Sequence, residues 1–256
     1  MSDDIAARAR RRTGAIVAVA AMVALVIAAA AVGLVVALGH RGTPVSQPAG
    51  VATGTGRSGA AAPTGASGPP AVTAAGADEL SWATVAGAKV PVSPVDGPRD
   101  SADGRARGFA HTPMGAVLAA AHISLRLSPQ AGPAVFEPTL AEQVIGADQA
   151  ALRQHLEDDY TTARAQLGVP YGAPAGQLYS TARGYRVSVA GDSADVALLI
   201  EGPGQSGSVL IALSLHVRWV NGDWALVAPT GGDWNTAARV TTDSSGYTRF
   251  PNGGAG

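Results

Sequence analysis

The hydrophobic pattern begins with an apolar stretch, residues 14–39, that contains no charged side chain. A helix needs about 20 consecutive apolar residues to cross the hydrocarbon of a membrane. Four arginines between positions 8 and 12 precede this stretch, whereas only His40 and Arg41 follow it closely. Because cationic segments stay in the cytoplasm, the pattern predicts a cytoplasmic tail over residues 1–13, a single transmembrane helix over residues 14–39 and a cell-membrane protein whose C-terminal part is extracytoplasmic.

A cleaved signal peptide is the alternative interpretation of this N-terminal pattern. It also combines basic residues, an apolar region and small residues, but its apolar region is about 7–15 residues long. The stretch from Gly14 to Gly39 is much longer. We therefore prefer the membrane anchor.

A low-complexity segment follows the apolar stretch. Residues 40–77 are nearly all Gly, Ala, Ser, Thr and Pro, and such a composition cannot bury enough apolar surface to offset the entropy of ordering. We expect a disordered stalk here. Patterned aliphatic and aromatic residues return from Asp78, which predicts one folded domain over residues 78–250 and a flexible tail over residues 251–256.

The first half of this domain carries helical patterns. Prolines between Trp82 and Pro98 favour extended chain there. Thr112 offers a capping oxygen and Pro113 a preset first helical residue, so we expect a helix from Pro113 to about Leu125. This helix is apolar on every face, which is typical of a buried helix.

Two further helices are predicted between residues 139 and 168. Thr139 and Glu142 have the spacing of a capping box and predict a short helix that Gly146 ends. Asp148 is placed to cap a longer amphipathic helix that Gly168 terminates.

The second half of the domain alternates between apolar and polar residues with period two. This pattern predicts strands on either side of a Gly191-Asp192 turn, a loop from Gly202 to Gly207, and a long strand that ends at Trp219. The Asn221-Gly222 pair is the signature of a type I′ hairpin. Helices followed by an antiparallel meander predict an α+β domain with about three helices packed on a curved antiparallel sheet of about four strands.

Composition and charge narrow the chemistry that is available. The chain has no Cys, which excludes disulfides, thiolate-bound metals and thiol nucleophiles. Eighteen basic and nineteen acidic residues give a net charge of −1, so nothing attracts the whole chain to nucleic acid. We expect no sequence-specific nucleic-acid partner.

The titratable residues suggest no metal or cofactor. The five histidines are scattered without ligand spacing, so we predict no metal site and no cofactor. His111 precedes a helix cap and is a candidate for the mouth of a pocket, whereas His122 fits a core histidine with a hydrogen-bonded partner. Arg99, Arg105 and Arg107 form a small basic cluster that we interpret as a solvated loop, with anionic lipid or DNA as the alternative contact.

The element order resembles a known superfamily. Three helices followed by a curved sheet that closes with Trp219-Val220-Asn221-Gly222-Asp223-Trp224 resemble the cone-shaped, cystatin-like superfamily of nuclear transport factor 2. Behind one membrane helix, this domain resembles the bitopic inner-membrane subunit of type IV secretion and conjugation machines. The segment Gly108–Ala120 also resembles uncharacterised membrane-anchored proteins of actinobacterial mobile elements.

The resemblance implies a structural role. In the secretion family the outer domain self-associates and contacts other channel subunits without catalysis, so we expect a non-enzymatic envelope assembly protein that binds protein partners, including further copies of itself. One alternative is a surface-tethered module that binds a small ligand in the cone cavity. The other is a cavity enzyme of the isomerase or dehydratase type, whose candidate residues are Asp158, Asp159, Tyr160, Tyr179 and Tyr185.

Overall fold

The computed structural model describes residues 80–204 and 207–251. The predicted cytoplasmic tail, transmembrane helix and stalk lie outside these residues, as does the predicted flexible tail apart from Pro251. In the part of the chain that the structure describes, no helix combines the length and the apolar character that crossing a membrane requires.

The described residues contain three α-helices: α1 spans Pro113–Arg126, α2 spans Pro133–Gln143 and α3 spans Gln149–Leu167. The prediction of α1 is confirmed, because Pro113 occupies its first turn and the Thr112 side chain accepts a hydrogen bond from the Gly115 amide. Most residues of α1 are buried, as its apolar surface on every side predicts.

The prediction of where α2 begins is wrong. The helix starts at Pro133, after Gly132 in a positive-φ conformation, and therefore includes Pro138. Thr139 does not cap a helix, since its hydroxyl donates to the Val135 carbonyl at 2.8 Å. A proline is tolerated in the first helical position, because an N–H group there would have no partner within the helix. Pro133 therefore marks the start of α2.

The sheet has nine strands among the described residues. They are β1 (Ser81–Val85), β2 (Ala88–Val92), β3 (Val144–Ile145), β4 (Thr181–Ala190), β5 (Ser193–Gly204), β6 (Gly207–Val220), β7 (Asp223–Val227), β8 (Ala238–Thr241) and β9 (Thr248–Arg249). Their order is β1-β2-β4-β5-β6-β7-β3, with β8 paired to β6 and β9 paired to β4.

The predicted sheet of about four strands, and with it the cone-shaped, cystatin-like fold, is therefore wrong. The nine strands form a curled half-barrel. The strands that the pattern missed are two to five residues long, too short for a period-two alternation to stand out. The long antiparallel strands β4, β5 and β6 lie where the alternation predicts them.

Two predicted turns have different outcomes. Asn221 and Gly222 both have positive φ, at 55° and 83°, between the paired residues Val220 and Asp223, so the type I′ hairpin is confirmed. The predicted loop from Gly202 to Gly207 is instead largely strand, because β5 continues to Gly204 and β6 begins at Gly207.

The curled sheet wraps around α1, which contacts β1, β2, β4, β5, β6 and β7. The side chains that point from the three longest strands toward this helix are buried: Tyr185, Ala194, Val196, Leu198, Leu213, Leu215 and Val217. Burial of this apolar surface, at roughly 25 cal/mol per Å², is the main stabilising contribution.

The C-terminal segment closes the fold. We call Ala238–Pro251 the C-terminal strap, because it passes from β8, beside β6, to β9, beside β4. Between the two strands it crosses the outer face of the sheet, where the Arg186 guanidinium lies 4.4 Å from the centre of the Tyr247 ring. Phe250 then packs in the core against Tyr185, with ring centres 4.9 Å apart.

Candidate interaction site

Two turns and one loop meet at one end of the sheet. The Gly191-Asp192 turn joins β4 to β5, and the Trp219 amide on β6 donates to the Asp192 carbonyl at 2.7 Å. Trp219 also pairs with Trp224 across the β6–β7 hairpin. His111, just before α1, lies against both tryptophans.

We call His111, Asp192, Trp219 and Trp224 the His111 cluster. The His111 imidazole stacks on the Trp219 indole with centres 4.4 Å apart and planes 22° apart. Its Nε2 atom lies 3.3 Å from an Asp192 carboxylate oxygen, and the two side chains are 44% and 71% exposed. The exposed His111 ring and the half-buried Trp219 indole therefore form an aromatic surface beside the exposed Asp192 carboxylate, whereas Trp224 is buried at 1% exposed.

Partly buried polar contacts hold the loop that carries His111. The Trp224 indole N–H donates to the Ala110 carbonyl at 2.9 Å. The Asp223 carboxylate accepts hydrogen bonds from the amides of Gly108 and Phe109 at 2.7 and 3.1 Å. These bonds to a carboxylate are charge-assisted and strong, so the imidazole is held in place by the β6–β7 hairpin.

Close packing at the start of α1 fixes the same loop from the other side. A Cβ atom at Gly115 would lie 2.0 Å from the Ala110 carbonyl oxygen, so only glycine allows this approach. Thr112 donates its hydroxyl to the buried Asp96 carboxylate at 2.6 Å. His111 is therefore displayed by a rigid backbone on both sides.

One edge of β4 adjoins the cluster. Its other edge pairs with β5 as far as Ala190. On the edge of β4 that faces away from β5, β2 pairs only with Thr181, and β9 pairs only with Gly184 and Tyr185. Within residues 80–204 and 207–251, no strand pairs with Arg186–Ala190 on that side. We call this segment the open edge of β4, and its Val189 side chain is 40% exposed.

The two histidines singled out from the sequence lie in different environments. His111 is at the surface, in the cluster described above. His122 is in the core, where its Nε2 atom lies 2.9 Å from the Pro91 carbonyl oxygen and its Nδ1 atom lies 3.1 Å from Arg126. Since a carbonyl only accepts, we assign the imidazole proton to Nε2.

The residues proposed for a cavity enzyme lie in different environments. The Tyr160 hydroxyl is bound by the Ala173 carbonyl and the Gly172 amide, and Tyr179 is exposed. Tyr185 is buried on β4, and its hydroxyl has no hydrogen-bond partner among the described residues. Its pKa is raised, first by burial and then by the charge of Asp96.

The two aspartates of that set lie on α3. Asp158 is exposed. Desolvation raises the pKa of Asp159, His155 opposes this effect, and the charges of Asp158 and Asp233 add to it. The Tyr160 hydroxyl, on the residue after Asp159, is engaged by Ala173 and Gly172.

The basic cluster is largely neutralised. Arg105 forms ion pairs with Asp103 and Glu142, and Arg107 pairs with Asp100 at 2.7 Å. The Arg99 guanidinium donates to two backbone carbonyls. These contacts favour the interpretation as a loop, because two of the three guanidinium charges are paired with carboxylates.

No group of three or more His, Asp or Glu side chains is placed to hold a metal ion in the described part of the chain. Sequence reasoning missed Trp219, Trp224 and Asp192 as site residues. The signal was present, because a type I′ turn at Asn221-Gly222 makes Trp219 and Trp224 direct cross-strand neighbours.

A family model described as Domain of unknown function (DUF8175) matches residues 43–249, which is more than half of the chain. Neither a curated protein nor a solved structure matches this chain.

Proposed function

The chain belongs to the family described as Domain of unknown function (DUF8175), and we propose that it is a membrane-anchored, non-enzymatic scaffold protein of the cell envelope. In this proposal the N-terminus is cytoplasmic, one helix spans the membrane and the outer domain binds protein partners. The resemblance of Gly108–Ala120 to proteins of actinobacterial mobile elements connects the role with conjugation or type IV secretion.

The observation that supports the proposal is the exposed His111 ring, stacked on half-buried Trp219, in the His111 cluster. Residues at the centre of protein interfaces are enriched in Trp, Tyr and Arg, and a few of them supply most of the binding energy. The cluster places the ring of a 44% exposed His111 over Trp219. Because its backbone is held by the Asp223 carboxylate, little conformational entropy is lost when a partner packs on it.

The composition of residues 40–77 fits the same role. A flexible chain of this length has an end-to-end distance of about 35 Å, from about 5–6 Å multiplied by the square root of the residue number. A domain on such a tether samples partners within a thin layer above the membrane, which raises their effective concentration.

In-cell crosslinking tests the proposal. A photoreactive amino acid replaces exposed Pro113 in the full-length protein, and proteins captured in intact cells are identified by mass spectrometry. His111→Ala is compared with Tyr171→Ala, which truncates another exposed aromatic residue whose contacts lie outside the cluster. Loss of a hot-spot side chain costs more than about 1 kcal/mol, so His111→Ala should reduce capture of the same envelope protein at least about fivefold.

Tyr171→Ala should leave capture unchanged. If position 113 captures no envelope protein, or if both variants capture as well as the unmodified chain, the proposed function is wrong. Thermal unfolding of both variants checks that the domain stays folded.

A further inference from the structure

We infer that the domain binds a small carboxylate anion between α1, α2 and the segment Gly104–Ala106, and that Arg126 supplies the positive charge. We call this region, which consists of Gly104–Ala106, Arg126 and Gln143, the Arg126 seam. Its residues are not those of the His111 cluster, and the inference stands independently of the proposed scaffold role.

Arg126, the last residue of α1, is a buried cation without a counterion. It is 5% exposed, and among residues 80–204 and 207–251 no carboxylate forms an ion pair with it. The carboxylates of Asp103 and Glu142 both pair with Arg105 instead. Arginine is almost never fully buried unless it is paired, because the removal of a charge from water is costly.

The hydrogen bonds of Arg126 use only part of its guanidinium. Nε donates to the Gly104 carbonyl at 2.9 Å, and Nη1 donates to the His122 carbonyl and lies near the His122 Nδ1 atom, both at 3.1 Å. Nη2 has no hydrogen-bond partner among the described residues, and it is not one of the side-chain atoms that are sealed from solvent. It therefore offers two N–H groups to an incoming anion.

The groups that do bind Arg126 compensate its charge only in part. Burial lowers the pKa of Arg126 from 12.5 to about 10. The last carbonyl groups of a helix carry a partial negative charge, which the His122 carbonyl contributes here. A carboxylate anion carries a full charge and accepts a charge-assisted hydrogen bond, so it stabilises the guanidinium more strongly.

Two further polar atoms in the seam also lack partners. The Gln143 side chain donates to the Ala106 carbonyl at 2.6 Å, but its Oε1 atom is buried without a hydrogen-bond partner in the described chain, and so is the Nε atom of Arg105. Roughly 90% of buried polar groups in proteins have a partner. Three incompletely satisfied side chains around Gly104–Ala106 therefore point to a polar ligand that the chain itself does not provide.

Charge and packing define the ligand as a small monovalent acid. One negative charge balances the guanidinium of Arg126, whereas a divalent anion would leave an excess charge in a buried site. A Cβ atom at Gly104 would lie 2.9 Å from a Val135 methyl group of α2, so the segment Gly104–Ala106 lies close to this helix. We therefore expect an anion of the size of formate or acetate.

Thermal unfolding of the full-length protein in detergent micelles tests the inference. Sodium formate replaces sodium chloride at constant ionic strength, so that screening stays the same. A ligand that binds only the folded state raises the melting temperature, and we expect a saturable rise of about 3–6 °C at about ten times the dissociation constant of formate. Benzoate, which is too large for the seam, should raise it by less than about 1 °C.

Two arginine variants connect the effect to the seam. Arg126→Gln removes the buried charge and should abolish the rise with formate. Arg218→Gln removes an exposed arginine of β6 and should retain it, which makes it the matched control. If formate does not raise the melting temperature of the unmodified protein, or raises that of Arg126→Gln equally, the inference is wrong and the carbonyl groups alone compensate Arg126.

Amide exchange in the unmodified protein keeps the test valid if Arg126→Gln does not fold. Formate should slow exchange at Gly104–Ala106, because the anion holds this segment on Arg126. It should leave exchange unchanged in the exposed turn Asp243–Gly246 of the strap. Equal slowing in both segments would show a general effect of the salt and would overturn the inference.

Discussion

His122 shows how burial sets the properties of a single residue. Its imidazole is 1% exposed in α1, and desolvation, followed by the nearby charge of Arg126, lowers its pKa from 6.5 to about 3. The hydrogen bond to the Pro91 carbonyl opposes this shift. Arg126 is itself buried, bonds to the Gly104 carbonyl and has a pKa lowered to about 10, so a second cation at position 122 is strongly disfavoured.

This residue predicts a pH dependence of stability. Between pH 6.5 and pH 3 the unfolded chain binds a proton at His122 while the folded chain does not, so the free energy of unfolding falls as the pH falls through this range. The contribution of His122 reaches about 1.4 kcal/mol per pH unit. Urea unfolding of His122→Gln at pH 7, 6 and 5 should show a flatter dependence than the unmodified domain.

His216→Gln is the matched control, because the imidazole of His216 lies at the surface beside Asp195. The free energy of unfolding of His216→Gln should depend on pH in nearly the same way as that of the unmodified protein, and more so than that of His122→Gln. Equal slopes for the unmodified protein and His122→Gln would contradict a neutral, buried imidazole.

At the scale of elements, two helix starts with similar sequence cues differ in structure. The Thr112 hydroxyl accepts from the Gly115 amide at 2.9 Å and donates to Asp96. Asp148 occupies the same position before α3, but its side chain makes no capping hydrogen bond. The Gln149 side chain binds the carbonyls of Leu140 and Val144 instead, which fixes the start of α3 from outside.

These two helix starts predict that alanine substitutions at Thr112 and Asp148 lower the free energy of unfolding by different amounts. Thr112→Ala should lower the free energy of unfolding by about 1–2 kcal/mol, because a capping bond is lost and a buried carboxylate loses a donor. Asp148→Ala should cost at most about 0.5 kcal/mol, from its interaction with the helix macrodipole alone. Urea unfolding at pH 7 measures both, and equal costs would show that Asp148 caps α3 in solution.

The sequence was informative where a pattern is long or chemically specific. The apolar surface of α1, the alternation along β4 to β6 and the Asn221-Gly222 turn each specify an element through local physics. The start of α2 was misjudged because Thr139 and Glu142 imitate a capping box inside a helix. Short strands such as β3 and β9 depend on tertiary pairing, and no local preference encodes them.

The candidate site is likewise predictable from the sequence only where a local pattern specifies it. Alternation indicates that Val187 and Val189 share one face of β4, and the hairpin indicates that Trp219 meets Trp224. The position of His111 over Trp219 depends on a loop held by Asp223, more than 100 residues away along the chain. That β9 leaves part of the edge unpaired depends on the path of the strap, which no pattern in residues 238–251 predicts.

At the scale of the whole molecule, the two ends of the described chain hold one another. Phe250 lies between Tyr185 and Trp82, with ring centres 4.9 and 6.2 Å away, and the Trp82 indole N–H donates to the Pro251 carbonyl at 3.3 Å. The β1–β2 hairpin meets β4 at one register pair, Lys89 with Thr181. The strap therefore secures the strand that directly follows the predicted stalk.

This arrangement predicts that a substitution at Phe250 accelerates amide exchange locally. Phe250→Ala removes a side chain that is 4% exposed and should lower the free energy of unfolding by about 3–4 kcal/mol. Because α1 still holds β2 through the Pro91–His122 contact, amide exchange should accelerate most in β1 and less in β5 and β6.

Tyr247→Ala, in the same strap, is the control, since the Tyr247 ring lies by Arg186 on the outer face. This substitution should leave amide exchange in β1 unchanged. If exchange in Phe250→Ala accelerates evenly over the whole sheet, the β1–β2 hairpin and the other strands unfold as one unit, and the strap does not separately secure β1.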